Sequence, residues 1–328
     1  MQIIDMHCDT ISRLLANEEK GETSSLKEND GHLDLIGMKK GDYLLQNFAM
    51  FTPLKSVDDP LVYVLKMIDK YKRELAANSD LILPVYSYKD IEGNCAKGKM
   101  SALLTLEEGA VVHNDLALLR IMYDLGVRMI TLTWNYQNGI GHPNIDYTLN
   151  DDRKTMLRHV NDRDGLTDFG IAYVKEMERL GIIVDVSHLG DAGFYDVLRY
   201  TSKPFVASHS NARAICPVAR NLKDDMIKAM ADRGSVIGIN YCDDFIAEDG
   251  NGSIAKMLEH MDHIIKIGGE DVIGLGSDFD GIATRKELSK ASEMPSLIKA
   301  MQEHGYSDRL IDKITHLNVL RLYKEILH

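Results

Sequence analysis

Residues 182–209, IIVDVSHLGDAGFYDVLRYTSKPFVASH, decide the fold. An apolar run ends at His188, a helical stretch follows over 191–200, and a second apolar run ends at His209. Short Val/Ile-rich runs alternating with amphipathic segments are what a parallel sheet covered by helices requires, because such strands are buried on both faces. Six further runs of this kind lie at 3–9, 44–51, 102–107, 128–134, 236–241 and 272–278. Helical patterns at 115–125, 168–180, 223–233 and 253–267 lie between them, several opened by an Asp or Ser suited to capping. Eight such units predict an α/β fold, a single (β/α)8 TIM-type barrel, formed as one domain over residues 1–328.

Two regions depart from the repeat. Residues 52–100 hold a helical stretch at 61–75 and a short strand-like run at 81–85, and residues 135–165 read as a polar loop. From 294 to the end the pattern predicts helices that close the structure. Neither internal repeats nor Pro/Gly-rich linkers suggest a second domain.

With 38 Lys+Arg against 50 Asp+Glu the net charge is −12, and no basic cluster stands out. This disfavours nucleic acid or an anionic membrane as partner and favours a small solute. The 4 cysteines show no C-x-x-C spacing, which indicates neither a disulfide framework nor a zinc ribbon and fits a reducing compartment. The start, MQIIDMHCDT, lacks the charged and apolar regions of a signal peptide, and no run reaches the roughly 18 apolar residues of a membrane span. A cytoplasmic location is expected, and oligomeric state is left open, a homodimer included.

His7, Asp9, Glu107, His188, His209 and Asp278 each fall at the right-hand end of an apolar run. A parallel barrel gathers those ends into one mouth, so residues far apart in sequence can form one metal site. His7 and Asp9, two apart, share a strand face, and Cys8 between them points to the helices. Alone, H-x-D is weak, and Glu107 alone reads as a loop acid sooner than as a ligand, with Glu108 facing the other way. Two strand-end histidines on adjacent predicted strands are a stronger signal, since both can reach one ion and leave a coordination position open. Asp278, in GLGSDFDG, satisfies neither a dinucleotide fingerprint nor a calcium loop, and reads instead as a proton acceptor. His260 and His263, three apart on a helical pattern, read as a solvated face. Neither G-x-S-x-G nor a Walker loop occurs.

Taken together, HCDT, QNFAMFTP, LEEGA, DVSHL, SHSNARAICPVARN, INYCDDF and GLGSDFDG resemble the membrane (renal) dipeptidase family of metallopeptidases, within the amidohydrolase superfamily. The resemblance covers nearly the whole chain. It implies two divalent metal ions, usually zinc, with His7 and Asp9 on one, His188 and His209 on the other, and Glu107 bridging both. A metal-bridging hydroxide would then cleave the peptide bond of dipeptides, including those with a C-terminal D-residue. The resemblance further assigns Arg220 to the substrate's carboxylate and Asp278 to the proton, and brings Tyr241 to the pocket. Where animal relatives carry a histidine that contacts the substrate's carbonyl oxygen, this sequence has Trp134, so that stabilisation is either weaker, borne by the metals, or supplied by another group such as His142. Two other functions are open: hydrolysis of another small carboxylate-bearing amide such as an N-acyl amino acid, and a metal-binding protein impaired in catalysis.

Overall fold

In the computed structural model, which describes residues 1–148 and 152–328, nine parallel strands form one sheet. They are β1 (Ile3–Asp5), β2 (Tyr43–Phe51), β3 (Ile82–Val85), β4 (Met100–Glu107), β5 (Val127–Thr131), β6 (Ile183–Asp185), β7 (Val206–Ala207), β8 (Val236–Ile239) and β9 (Ile273–Leu275). The sheet order β2-β1-β9-β8-β7-β6-β5-β4 closes on itself through β2–β4, in register from Leu45↔Ser101 to Phe51↔Glu107. This is the predicted eight-stranded barrel. The ninth strand is the run at 81–85. It pairs with the first half of β4, Ile82↔Met100 to Val85↔Leu103, and β5 takes over the same edge from Leu104.

The ladders stop short of the apolar runs. β1 ends at Asp5, β6 at Asp185, β7 at Ala207 and β9 at Leu275, so His7, His188, His209 and Asp278 all lie just beyond paired backbone. Carboxylates bridge the gaps. Asp5 accepts from the N–H groups of His7 (3.2 Å) and Ser277 (2.8 Å), tying the ends of β1 and β9. Asp185 accepts from Ser187 N–H (3.0 Å), Ser208 N–H (2.9 Å) and the hydroxyls of Thr131 and Ser208 (both 2.6 Å), which does the same for β5, β6 and β7.

Two apolar layers support this arrangement. Inside the barrel, Ile4, Met6, Leu103, Met129, Ile183, Val206 and Val236 pack together, and helix Asn318–Ile326 plugs the lower end with Val319, Leu322 and Tyr323. The Tyr323 hydroxyl and the Asn47 amide exchange hydrogen bonds of 2.7 and 2.9 Å, which satisfies both buried groups. Outside the barrel, the helices bury a continuous apolar layer that includes Cys8, as its position between His7 and Asp9 predicts. Helix Asp168–Leu180 is typical: Thr167 caps its first turn through Gly170 N–H, Tyr173, Val174 and Met177 face the barrel, and Gly181 at φ 79° ends it.

Other departures are local. Of the polar loop predicted over 135–165, residues 149–151 lie outside the described residues, and a short helix, Arg153–Arg158, follows them. His260 is buried rather than solvated: its Nδ1 accepts from Ala212 N–H (3.1 Å) and its Nε2 meets the Ile246 carbonyl (3.0 Å). His263 stays at the surface and pairs with Asp224. Among the described residues no helix is long and apolar enough to cross a membrane.

Gly238 and Gly276, on adjacent strand ends, both lie against the Ser208 carbonyl, where a Cβ would collide with backbone. Gly276→Ala should therefore cost about 1–3 kcal/mol of stability, read as a lower urea midpoint at unchanged slope. An unaltered midpoint would show that the segment bearing Ser208 and His209 gives way freely.

Candidate metal centre

The five proposed ligands converge in the mouth. Glu107, in register with Phe51 and Thr131 across its neighbouring strands, sends its carboxylate to the barrel axis. Its two oxygens face different groups. Oε2 lies 3.3 Å from His7 Nε2, which is itself 3.5 Å from Asp9 Oδ2. Oε1 lies 3.0 Å from His188 Nε2 and 3.5 Å from His209 Nε2, and those two nitrogens are 3.1 Å apart. The His7 and His209 rings stack with centroids 3.8 Å apart, joining the two halves.

All five side chains are almost fully buried, and His7 Nε2 and Asp9 Oδ1 have no hydrogen-bond partner. Buried acids and imidazoles without partners are costly unless a cation joins them, so the donor set fits divalent metal. Proton affinities carry the same message. Burial, then the Glu107 charge, pushes Asp9 up to about 7. Burial opposes a charge on His7, but Glu107 and Asp9 more than offset it and raise its pKa well above the ordinary value. His7 thus gathers positive charge where a metal would supply it. Burial, with Arg220 nearby, pushes His188 down to about 4, and burial with His7 and Arg220 holds His209 well below its ordinary value. Both imidazoles are neutral at pH 7, the state a metal ligand requires.

Their tautomers follow from the next contacts. His188 Nδ1 lies 2.8 Å from Asn135 Oδ1, an oxygen that can only accept, so Nδ1 carries the proton and Nε2 keeps its lone pair. For His209 the argument runs through two groups. Ser208 Oγ donates to Asp185 Oδ2 at 2.6 Å, so it accepts from His209 Nδ1 at 2.7 Å and again frees Nε2. Asn135, Asp185 and Ser208 were not singled out in the sequence. The signal present was local: D-x-S before His188, and a serine before His209.

Asp278 stands beside the cluster. Asn240 Nδ2 donates to its Oδ2 at 3.0 Å, and burial with the Glu107 charge raises it to about 6 against the opposing pull of His7 and Arg220. Gly281 keeps space beside it, since a Cβ there would run into the Asp9 and Asp278 carboxylates. Among the described residues, four of the eight non-glycine positions at positive φ belong to this mouth: Glu108, His188, Asp278 and Asp280. Each such conformation costs of order 1–3 kcal/mol, tolerated where surrounding contacts fix the backbone. Glu108 turns away from the centre, as its strand position predicts, and accepts from the N–H groups of Ala110 (2.9 Å) and Trp134 (3.2 Å) and from the Asn138 side-chain amide.

Above the ligands opens a cavity of about 680 Å³, lined among others by Asp9, Phe51, Glu107, Trp134, Tyr147, His188, Cys242, Phe245 and Asp278. Arg220 lies behind its wall, fully buried, with the Phe245 ring 5.5 Å from the guanidinium; Nη1 reaches Ser210 Oγ at 3.2 Å, while Nε and Nη2 have no partner. Two further residues expected at the pocket are, like Arg220, absent from its lining. Tyr241 sits in the helix-facing core, edge-on to Phe279, with its hydroxyl on Met294 Sδ. Alternation after β8 instead turns Asn240 to Asp278 and Cys242 to the cavity. His142 is also outside the cavity lining, because its Nδ1 contacts the Gly165 carbonyl and its own carbonyl accepts from Gly190.

A parallel barrel whose strand ends converge imidazoles and a shared carboxylate beneath a cavity has the architecture of a metal-dependent hydrolase. The family model for membrane dipeptidases, peptidase family M19, matches residues 1–328, and the chain belongs to that family of peptide hydrolases. It is 34% identical over 309 residues to an uncharacterized dipeptidase of Schizosaccharomyces pombe, covering 90% of this chain and 72% of that one. Among solved structures it is similar to a metallopeptidase named dipeptidase AC (30% identity, TM-score 0.91, 100% of this chain and 99% of that chain). It is also similar to a metallopeptidase of Rhodobacter sphaeroides solved with a phosphinate mimic of L-Ala-D-Ala (30% identity, TM-score 0.90, 99% of each chain).

Ser208→Ala and Asn135→Ala should each weaken divalent-metal affinity by roughly 10- to 100-fold, measured by competition with a chromogenic chelator, with the circular dichroism spectrum retained. Affinity unchanged in both would remove the role given to these contacts.

Proposed function

We propose that this chain is a zinc-dependent dipeptidase with a binuclear centre. The observation that carries the reading is Glu107, whose two oxygens face two separate donor groups. His7 and Asp9 would hold one ion, His188 and His209 the other, and Glu107 would give an oxygen to each. When bound, such a pair supplies a hydroxide nucleophile at neutral pH and polarises the scissile carbonyl.

The remaining steps belong to the chain's own side chains. Asp278 receives the proton of the attacking water and delivers it to the departing amine. Asn240 occupies one of its oxygens, so the other is left for that transfer. Arg220, a buried cation with two unpaired nitrogens, is completed by an anion, and the dipeptide's carboxylate is one that fits. Trp134 carries no charge and offers a single N–H donor, so bound metal would supply most of the charge that stabilises the carbonyl oxygen. The mimic held by the R. sphaeroides relative supports extending the substrate range to a C-terminal D-residue.

Hydrolysis of a dipeptide panel should depend on added Zn, Co or Mn and be abolished by chelation; no metal-dependent turnover across the panel would favour a binding protein. Arg220→Ala should lower kcat/KM by roughly 30-fold or more and erase discrimination against dipeptide amides, which lack the carboxylate. Equal kcat/KM in the variant would refute the clamp. Asp278→Asn should lower kcat by roughly 10²- to 10⁴-fold with metal content, read by plasma emission, unchanged.

A further inference from the structure

One side of the cavity is aromatic, and the chemistry above makes little use of it. Trp134, the sole tryptophan, has Phe51 edge-on at 4.8 Å and Tyr147 perpendicular at 5.3 Å, with Tyr136 behind it at 5.6 Å. None of these four rings belongs to the buried core. Trp134 is half-buried, and Tyr147 is 41% exposed yet held by its N–H on the Asn135 carbonyl at 3.0 Å. The wall is therefore open to the cavity and lies outside the two buried apolar clusters.

Topology gives its orientation. Around the barrel the order is β1-β2-β4-β5-β6-β7-β8-β9, so β2 faces β7 and β5 faces β9 across the mouth. Phe51 ends β2 and Trp134 follows β5, whereas Arg220 follows β7. Two residues extend at most about 7 Å. A dipeptide with its carboxylate toward Arg220 and its scissile bond over Glu107 therefore carries its N-terminal residue to the aromatic side.

We infer that Phe51, Trp134 and Tyr147 form the pocket for the N-terminal side chain, and that this chain prefers dipeptides whose first residue is aromatic or large and apolar; the inference rests on the dipeptidase reading with Arg220 as carboxylate clamp. Such a side chain removes apolar surface from water against three rings, and edge-on or stacked aromatic contact adds to that gain. Glycine or alanine at the same position leaves the wall wet.

The test uses the full-length, metal-loaded protein and two series, X-Gly and Gly-X, with X = Gly, Ala, Leu and Phe. Along X-Gly, kcat/KM should rise by roughly 10- to 200-fold from Gly to Phe, and along Gly-X it should change less. Trp134→Ala and, separately, Tyr147→Ala should pull the Phe-Gly to Gly-Gly ratio toward one, whereas Trp134→Phe keeps most of it. Tyr147→Ala carries the test should Trp134→Ala fail to fold, because that side chain is exposed. The single tryptophan gives a readout besides turnover: a phosphinate analogue of Phe-Gly should shift its emission, and the Gly-Gly analogue should not. A flat X-Gly series, a steeper Gly-X series, or a ratio unmoved in both alanine variants overturns the inference and leaves the dipeptidase reading standing. Absence of turnover on every dipeptide removes the reading itself, and this inference with it.

Discussion

The mouth of this barrel is organised by a shortage of positive charge around one buried carboxylate. Glu107 lies near three imidazoles and within the field of Asp9 and Asp278, and burial alone would favour the neutral form of each group, protonated carboxyls and unprotonated imidazoles. Without metal, His7 takes the positive charge, and His188 and His209 remain neutral. A divalent ion at each oxygen of Glu107 would replace a makeshift proton with a stronger and better directed charge. Closure of the sheet through β2 and β4 matters to function for this reason: it sets β4 two strands from β1 on one side and two from β6 on the other, so that Glu107 lies between His7 and His188.

Rigidity at that point comes from backbone carboxylate bridges more than from long strands. β6 and β7 are three and two residues long, too short to fix a ligand by pairing alone. Asp185 supplies what the ladder omits, through four donors from three strands and, by way of Ser208, the tautomer of His209. The left-handed backbone at His188 and Asp278 belongs to the same design. Both residues must turn inward after their strands have ended, and the strain is tolerated because neighbouring hydrogen bonds leave the chain little alternative.

Much of this was legible in the sequence, for reasons specific to each element. Strand–helix alternation is a periodic signal, so the eight barrel runs and helices such as Asp168–Leu180 are found from it, and even the run at 81–85 stands out. The proposed ligands at run ends, His7 to His209, come together because the barrel gathers all such ends in one place. Side-chain direction past the last ladder bond is another matter. Tyr241 looks as eligible as its neighbours, but only the alternation observed after β8 shows that Cys242 and Asn240 face inward. His142, in a loop, carries no period at all, and its contact with Gly165 is a tertiary fact. Arg220 is the reverse case: a loop arginine by sequence, it proves fully buried with unpaired nitrogens, which a local pattern cannot foretell.

Asn135 shows how chemistry and selectivity are joined without being merged. Its side-chain oxygen fixes the tautomer of His188, and its carbonyl anchors Tyr147 in the loop above. The first contact serves any reaction at the centre; the second sets the wall beside it. Side chains on that wall, Trp134 and Tyr147, can change size while the residues that hold His188 stay as they are, because the tie to Tyr147 runs through backbone atoms alone. A barrel built this way can alter which substrates fit by exchanging loop side chains, with the ligand geometry carried by strand ends and their carboxylate bridges. Trp134, the position where the family resemblance implies a histidine, lies on that exchangeable surface and not among the groups that hold the proposed ligands.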